Sequence, residues 1–143
     1  MGLKFALMIA LGLSTAAQVH ADIVIEDAYA RAAMPSAASA AVYMQVRNDG
    51  PEDDRLIAAS SESAAKTMLH GSSEGANGVV SMQGHAEGVL IPAGSDHAFA
   101  RGGDHIMLMG LTRPMEQGAT VGLVLTFERA GEIRLEVPVD LDR

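Results

Sequence analysis

The chain has 143 residues, a formal net charge of −8 and no cysteine. Its length suits one domain, and its acidity argues against nucleic-acid binding, which needs a basic surface. Without thiols it cannot form disulfides, zinc fingers, blue-copper centres or a cysteine nucleophile. It does contain nine methionines, against three phenylalanines, two tyrosines and no tryptophan.

The first 21 residues are typical of a secretory signal peptide. Lys4 supplies a positive charge, Phe5–Leu13 is an apolar run too short to span a bilayer, and small residues end the segment at Ala21. We therefore expect cleavage after Ala21, a mature domain of residues 22–143 and no stable membrane insertion after cleavage. An uncleaved anchor is the alternative, and the short apolar run disfavours it.

The rest of the chain consists of short apolar or alternating segments separated by turn residues. The predicted strands are Ile23–Tyr29, Ala41–Val46, Arg55–Ala59, Lys66–His70, Val79–Gln83, Gly88–Gly94, His105–Leu111, Thr120–Glu128 and Glu132–Val139. The turn signals are Asn48–Pro51, Asn77–Gly78 and Ala130–Gly131. Ser60–Ala65 alone favours a helical turn. Regularly spaced short strands predict an all-β sandwich or barrel.

His105-Ile106-Met107 is the segment most suggestive of chemistry. Residues i and i+2 of a strand point to the same side, about 6.6 Å apart, so His105 and Met107 face away from Ile106. Imidazole nitrogen and thioether sulfur form a soft donor set that suits Cu(I). Taken alone, however, His70 is typical of a surface histidine and Met82 of a packing methionine.

Several segments resemble the PCu(A)C family of periplasmic copper chaperones, over nearly all of the mature chain. They are Asn48–Leu56, Leu69-His70, Gly88–Gly94, His105–Leu111 followed by Pro114, and Leu123–Glu128. The resemblance implies a cupredoxin-like Greek-key β-sandwich with one Cu(I) site, whose ligands are His70, Met82, His105 and Met107. Relatives often carry a methionine directly after the first histidine, where this chain has Gly71.

The resemblance also implies a role. The protein would be a monomeric periplasmic copper chaperone, not an enzyme, that delivers copper to the dinuclear copper site of a haem–copper oxidase or to another assembly chaperone. Two alternatives stay open. One is a zinc-binding protein that uses the four histidines of the mature chain, and the other is an exported interaction module without metal.

The remaining histidines and methionines are expected to lie outside the site. We expect His85 and His97 to be exposed bystanders and Met109 to pack beneath the site. Met44, Met68 and Met115 are predicted to be core or loop residues.

Overall fold

The computed structural model describes residues 22–74 and 76–143, without the side chains of residues 73, 74, 80 and 82. The predicted signal peptide, residues 1–21, lies outside the described residues. Ten strands are present in the described part of the chain. They are β1 (Ile23–Arg31), β2 (Ser39–Asn48), β3 (Asp54–Ser60), β4 (Ala64–Glu74), β5 (Val80–Gly84), β6 (Val89–Ile91), β7 (Asp96–Phe99), β8 (His105–Leu111), β9 (Thr120–Phe127) and β10 (Gly131–Pro138).

The strands form two antiparallel sheets. The first has the order β1-β2-β8-β4-β5, with β7 also paired to β2, and the second has the order β10-β9-β3-β6. Alternation produces the core between them: in β9, Val121, Leu123, Leu125 and Phe127 are buried while the residues between them are partly exposed. The predicted all-β sandwich is therefore confirmed.

Two strand predictions need correction. β7 was not predicted, because four residues with one buried side chain, Phe99, give too short an alternation to recognise. Ser60–Ala65 does not form a helical turn. Instead β3 ends at Ser60 and β4 begins at Ala64, and Ser61 Oγ fixes the tight connection between them by donating to the Gly122 carbonyl at 2.6 Å.

The Asn48–Leu56 segment has a structural role, which rests on the buried side chain of Asn48. Asn48 is 3% exposed, and its Nδ2 donates to the carbonyls of Glu52 and Ile91 at 2.8 and 3.0 Å. Its Oδ1 accepts the Gly50 N–H at 3.0 Å. One buried side chain thus joins the β2–β3 loop to β6, and it satisfies its own donors and acceptor in doing so.

Candidate metal centre

The antiparallel register of β4 and β8 sets His70 directly opposite His105 and Met68 directly opposite Met107. Ile106 is fully buried in the core. Because side chains alternate along a strand, His105 and Met107 lie on the other, outer face of the sheet, as their spacing predicts. Side chains directly opposite each other have Cβ atoms about 4.5–5.5 Å apart. Two imidazoles and two thioethers therefore share one small area of this face.

The rings of His70 and His105 meet edge to face, with centroids 5.8 Å apart and planes at 84°. His105 is 4% exposed, and its Nδ1 lies 3.1 Å from the Gly103 carbonyl oxygen. A carbonyl only accepts, so Nδ1 carries the proton and Nε2 keeps its lone pair. This Nε2 and His70 Nδ1 are both buried and have no hydrogen-bond partner among the described residues. Such unpaired nitrogens are costly unless something binds them.

Protonation is disfavoured at His70. Burial is the main cause that lowers the pKa of this imidazole below 6.5, and the neighbouring His105, His85 and Lys66 act in the same direction. The neutral form, which has a free lone pair, is the form that binds metals. The imidazole of His70 is therefore neutral at neutral pH and keeps a lone pair that can bind a metal ion.

Aromatic rings cover one side of His105. The Tyr43 ring lies 6.4 Å from the His105 ring, and Tyr29 lies 5.3 Å beyond Tyr43. The guanidinium of Arg143 stacks 4.0 Å above Tyr29 and donates two hydrogen bonds to Asp27. Tyr43 is thus the aromatic neighbour of His105, and Tyr29 and Arg143 extend the stack away from the imidazole.

Met82 was predicted to complete the ligand set. It lies in β5, the strand next to β4, and is paired in register with Ser72, two residues from His70. The Met82 side chain lies outside the described residues, so its role as a ligand stays a prediction. His70, His105 and Met107 are brought together on neighbouring strands.

His85 and His97 are not exposed bystanders, and that prediction was wrong. Their side chains are only 33% and 28% exposed, and each Nε2 contacts a different oxygen of Asp104, at 2.6 and 2.7 Å. Asp104 directly precedes His105, so this pair of contacts holds the end of the β7–β8 loop. The sequence gives little sign of the arrangement, because His85 is 19 residues from Asp104.

Gly71 makes room for this arrangement. A Cβ at this position would lie 2.5 Å from His85 Nε2 and 2.9 Å from Asp104 Oδ1, closer than real contacts allow. The imidazole of His85 thus occupies space next to the residue where PCu(A)C relatives often carry a methionine. The chain loses a possible thioether there and gains a histidine–carboxylate contact.

Two other methionine predictions are confirmed and one is wrong. Met44 and Met115 are buried, with exposures of 2% and 1%. Met68 is neither a core nor a loop residue, because it lies half-buried on the outer face of β4, opposite Met107. The sequence signal that identifies it is Met68-Leu69-His70, the reverse of His105-Ile106-Met107.

The chain has the predicted cupredoxin-like β-sandwich fold. The outer face of its first sheet carries histidines and methionines side by side on β4 and β8. Residues 23–139 match the model of the LpqE-like family, described as putative lipoproteins, and the chain belongs to that family. The putative lipoprotein Lxx21020 of Leifsonia xyli subsp. xyli (strain CTCB07) is 37% identical over 99 residues, which are 69% of this chain and 59% of that relative. The match thus spans about three fifths of the relative's length.

Solved structures of PCuAC domains share the fold. The copper-bound PCuAC domain from PmoF2 has a TM-score of 0.69 and 26% identity, over 84% of this chain and 93% of that domain. The solution structure of CuI-DR1885 from Deinococcus radiodurans has a TM-score of 0.65 and 28% identity, over 90% of this chain and 84% of that protein. In residues 22–74 and 76–143 there is no helix long and apolar enough to cross a membrane.

Proposed function

We propose that the protein is an exported copper chaperone that binds one Cu(I) through His70, Met82, His105 and Met107. The observation that carries the proposal is the pair of buried nitrogens, His70 Nδ1 and His105 Nε2, on facing rings without a partner among the described residues. A single cation between the two rings would satisfy both nitrogens. Similarity to a copper-bound PCuAC domain and to CuI-DR1885 supports copper as that cation.

The donor set selects the oxidation state. Thioethers are soft ligands that suit Cu(I), and they bind it without first losing a proton. They also form no disulfides, which is useful for a carrier in an oxidising compartment. Neutral imidazoles add affinity. Because a thiolate is a stronger soft donor than a thioether, copper held in this way moves readily to a thiolate-bearing acceptor.

The resemblance to PCu(A)C chaperones supports the periplasm as the location and a haem–copper oxidase, or another assembly chaperone, as the recipient. On this proposal the protein acts as a monomer and carries copper as cargo without catalysing a reaction. Membership of a family described as putative lipoproteins supports export. The 143 residues contain no cysteine to which a lipid could be attached through sulfur.

The zinc alternative is less well supported. In the part of the chain that the structure describes, no three His, Asp or Glu side chains are grouped so that they could hold a metal ion. Asp104 engages both His85 and His97, and the half-buried Met107 lies beside the two remaining imidazoles. A site on this face thus depends on sulfur, which zinc accepts from thiolates but seldom from thioethers.

A competition titration with a Cu(I) chelator tests the proposal. We expect the mature protein to bind one equivalent, and Met82→Leu combined with Met107→Leu to weaken binding at least about tenfold, or about 1.4 kcal/mol. Met34→Leu is the matched control, because Met34 is exposed and was assigned no role at the site. Tight binding that survives the double substitution would show that the site does not depend on the thioethers of Met82 and Met107.

A further inference from the structure

We infer that Met68 is a further thioether ligand of the Cu(I) site and that it keeps the ion bound when Met82 dissociates. The inference rests on the proposed function and adds a donor to the same site. Its basis is the juxtaposition of two mirrored segments, Met68-Leu69-His70 on β4 and His105-Ile106-Met107 on β8.

The antiparallel register sets like residues of the two segments directly opposite each other. His70 faces His105 and Met68 faces Met107, so each imidazole has a thioether two residues away on its own strand. The four Cβ atoms form a four-sided array with sides of about 5 and 6.6 Å. An ion near its centre is about equally far from the Cβ atoms of Met68 and Met107.

Among the described residues, Met68 does not take part in the packing of the core. The intervening residues Leu69 and Ile106 enter the core with exposures of 7% and 0%. Met68 is half-buried on the opposite face and belongs neither to the core nor to the apolar residues packed against it. An unbranched, flexible thioether at such a position is well suited to reach a ligand.

The side chain also extends in the right direction. Met68 Cε lies 4.0 Å from the point where a Cβ would stand on Gly84, and Gly84 is the register partner of His70. The end of the thioether therefore leans along β4 toward His70, on the side of β5, the strand that carries Met82. A hollow of about 260 Å³, lined by Ile57, Met68, Gly84 and Ala86 among others, opens this side of the methionine to solvent.

A third thioether changes how the ion leaves. If Met82 on the edge strand β5 dissociates, His70, His105, Met107 and Met68 still supply two nitrogens and two sulfurs. Copper then remains bound while the side formerly occupied by Met82 is open to an acceptor. No proton or electron moves in this exchange, because thioethers are neutral donors and the ion stays Cu(I).

Chelator competition on single and double variants tests the inference. We expect Met68→Leu to weaken Cu(I) binding by several-fold to about tenfold, and Met68→Leu with Met82→Leu to weaken it more than the product of the two single effects. Met109→Leu is the matched control. Met109 shares the outer face of β8, but it is paired with Lys66 and lies about 13 Å along the strand from His105.

Carbon-13 NMR of labelled methionine methyl groups distinguishes a copper ligand from a methionine with a merely structural role. On addition of Cu(I), the methyl signals of Met68 and Met107 should shift, while that of Met109 should not. If Met107 shifts and Met68 does not, Met68 is not a ligand although the proposed chaperone function stands. If no methionine methyl shifts and no copper is retained, both proposals fail.

Discussion

The position of the proton on His105 determines which ring nitrogen has a lone pair that can bind a metal ion. Its hydrogen bond to the Gly103 carbonyl fixes the proton on Nδ1 and leaves Nε2 as a buried lone pair. The same carbonyl accepts the Ser72 N–H at 3.2 Å, so β4 and the β7–β8 loop both position it. Metal-binding histidines are usually oriented in this way: the ring nitrogen that does not bind the metal donates its N–H to a carbonyl or carboxylate.

His70 should titrate below its ordinary range. We predict that its pKa in the metal-free protein lies below 6.5, because burial and the nearby His105 disfavour the imidazolium. A lowered pKa means that the unfolded chain takes up this proton first. The contribution of His70 to stability is therefore present above pH 6.5 and is lost as the pH falls through the lowered value. Nitrogen-15 NMR of the histidine rings measures it, and a pKa at or above 6.5 would contradict the prediction.

At the scale of elements, the two faces at the start of β8 serve different purposes. Asp104 faces one way and joins His85, beyond β5, to His97 of β7 through contacts of 2.6 and 2.7 Å. His105 faces the other way, toward His70. The contacts on one face thus hold the backbone that presents the imidazole on the other. Gly71 permits this, because any side chain there would displace His85.

Gly71→Ala should break the contact between His85 and Asp104. The added methyl group would overlap His85 Nε2, so we expect the ring to move and the free energy of unfolding to fall by about 1–3 kcal/mol, the usual cost of overpacking. Gly103→Ala is the matched control, since its Cβ would meet only the Ala100 carbonyl at an ordinary 3.6 Å. Urea unfolding of both variants checks this, and equal stabilities would show that the space around Gly71 is not restricted.

For the whole molecule, local sequence patterns predicted the sandwich well. β8 was predicted with its exact bounds, and the face shared by His105 and Met107 follows from strand periodicity. The contact between β4 and β8 was not predictable in the same way, because register between distant strands depends on packing of both sheets. For that reason Met68 was misassigned, and His85 and His97 were taken for unattached residues although Asp104 binds both.

The two-sheet architecture keeps the apolar core apart from the face that we propose binds copper. The apolar residues of both sheets, Phe127 and Leu108 among them, are sealed between the layers, while the histidine–methionine face lies outside them. Substitution of a methionine on this face should therefore leave the core intact. A net charge of −8 adds a weak general attraction for cations.

X-ray absorption at the copper edge of the Cu(I)-loaded protein shows whether thioethers hold the ion, because it distinguishes sulfur from nitrogen in the coordination shell. We predict two imidazole nitrogens and at least two thioether sulfurs around one Cu(I). The sulfur contribution should diminish when Met107 is replaced by leucine and should be unchanged in Met34→Leu. A shell made only of nitrogen and oxygen would contradict a site with thioether ligands.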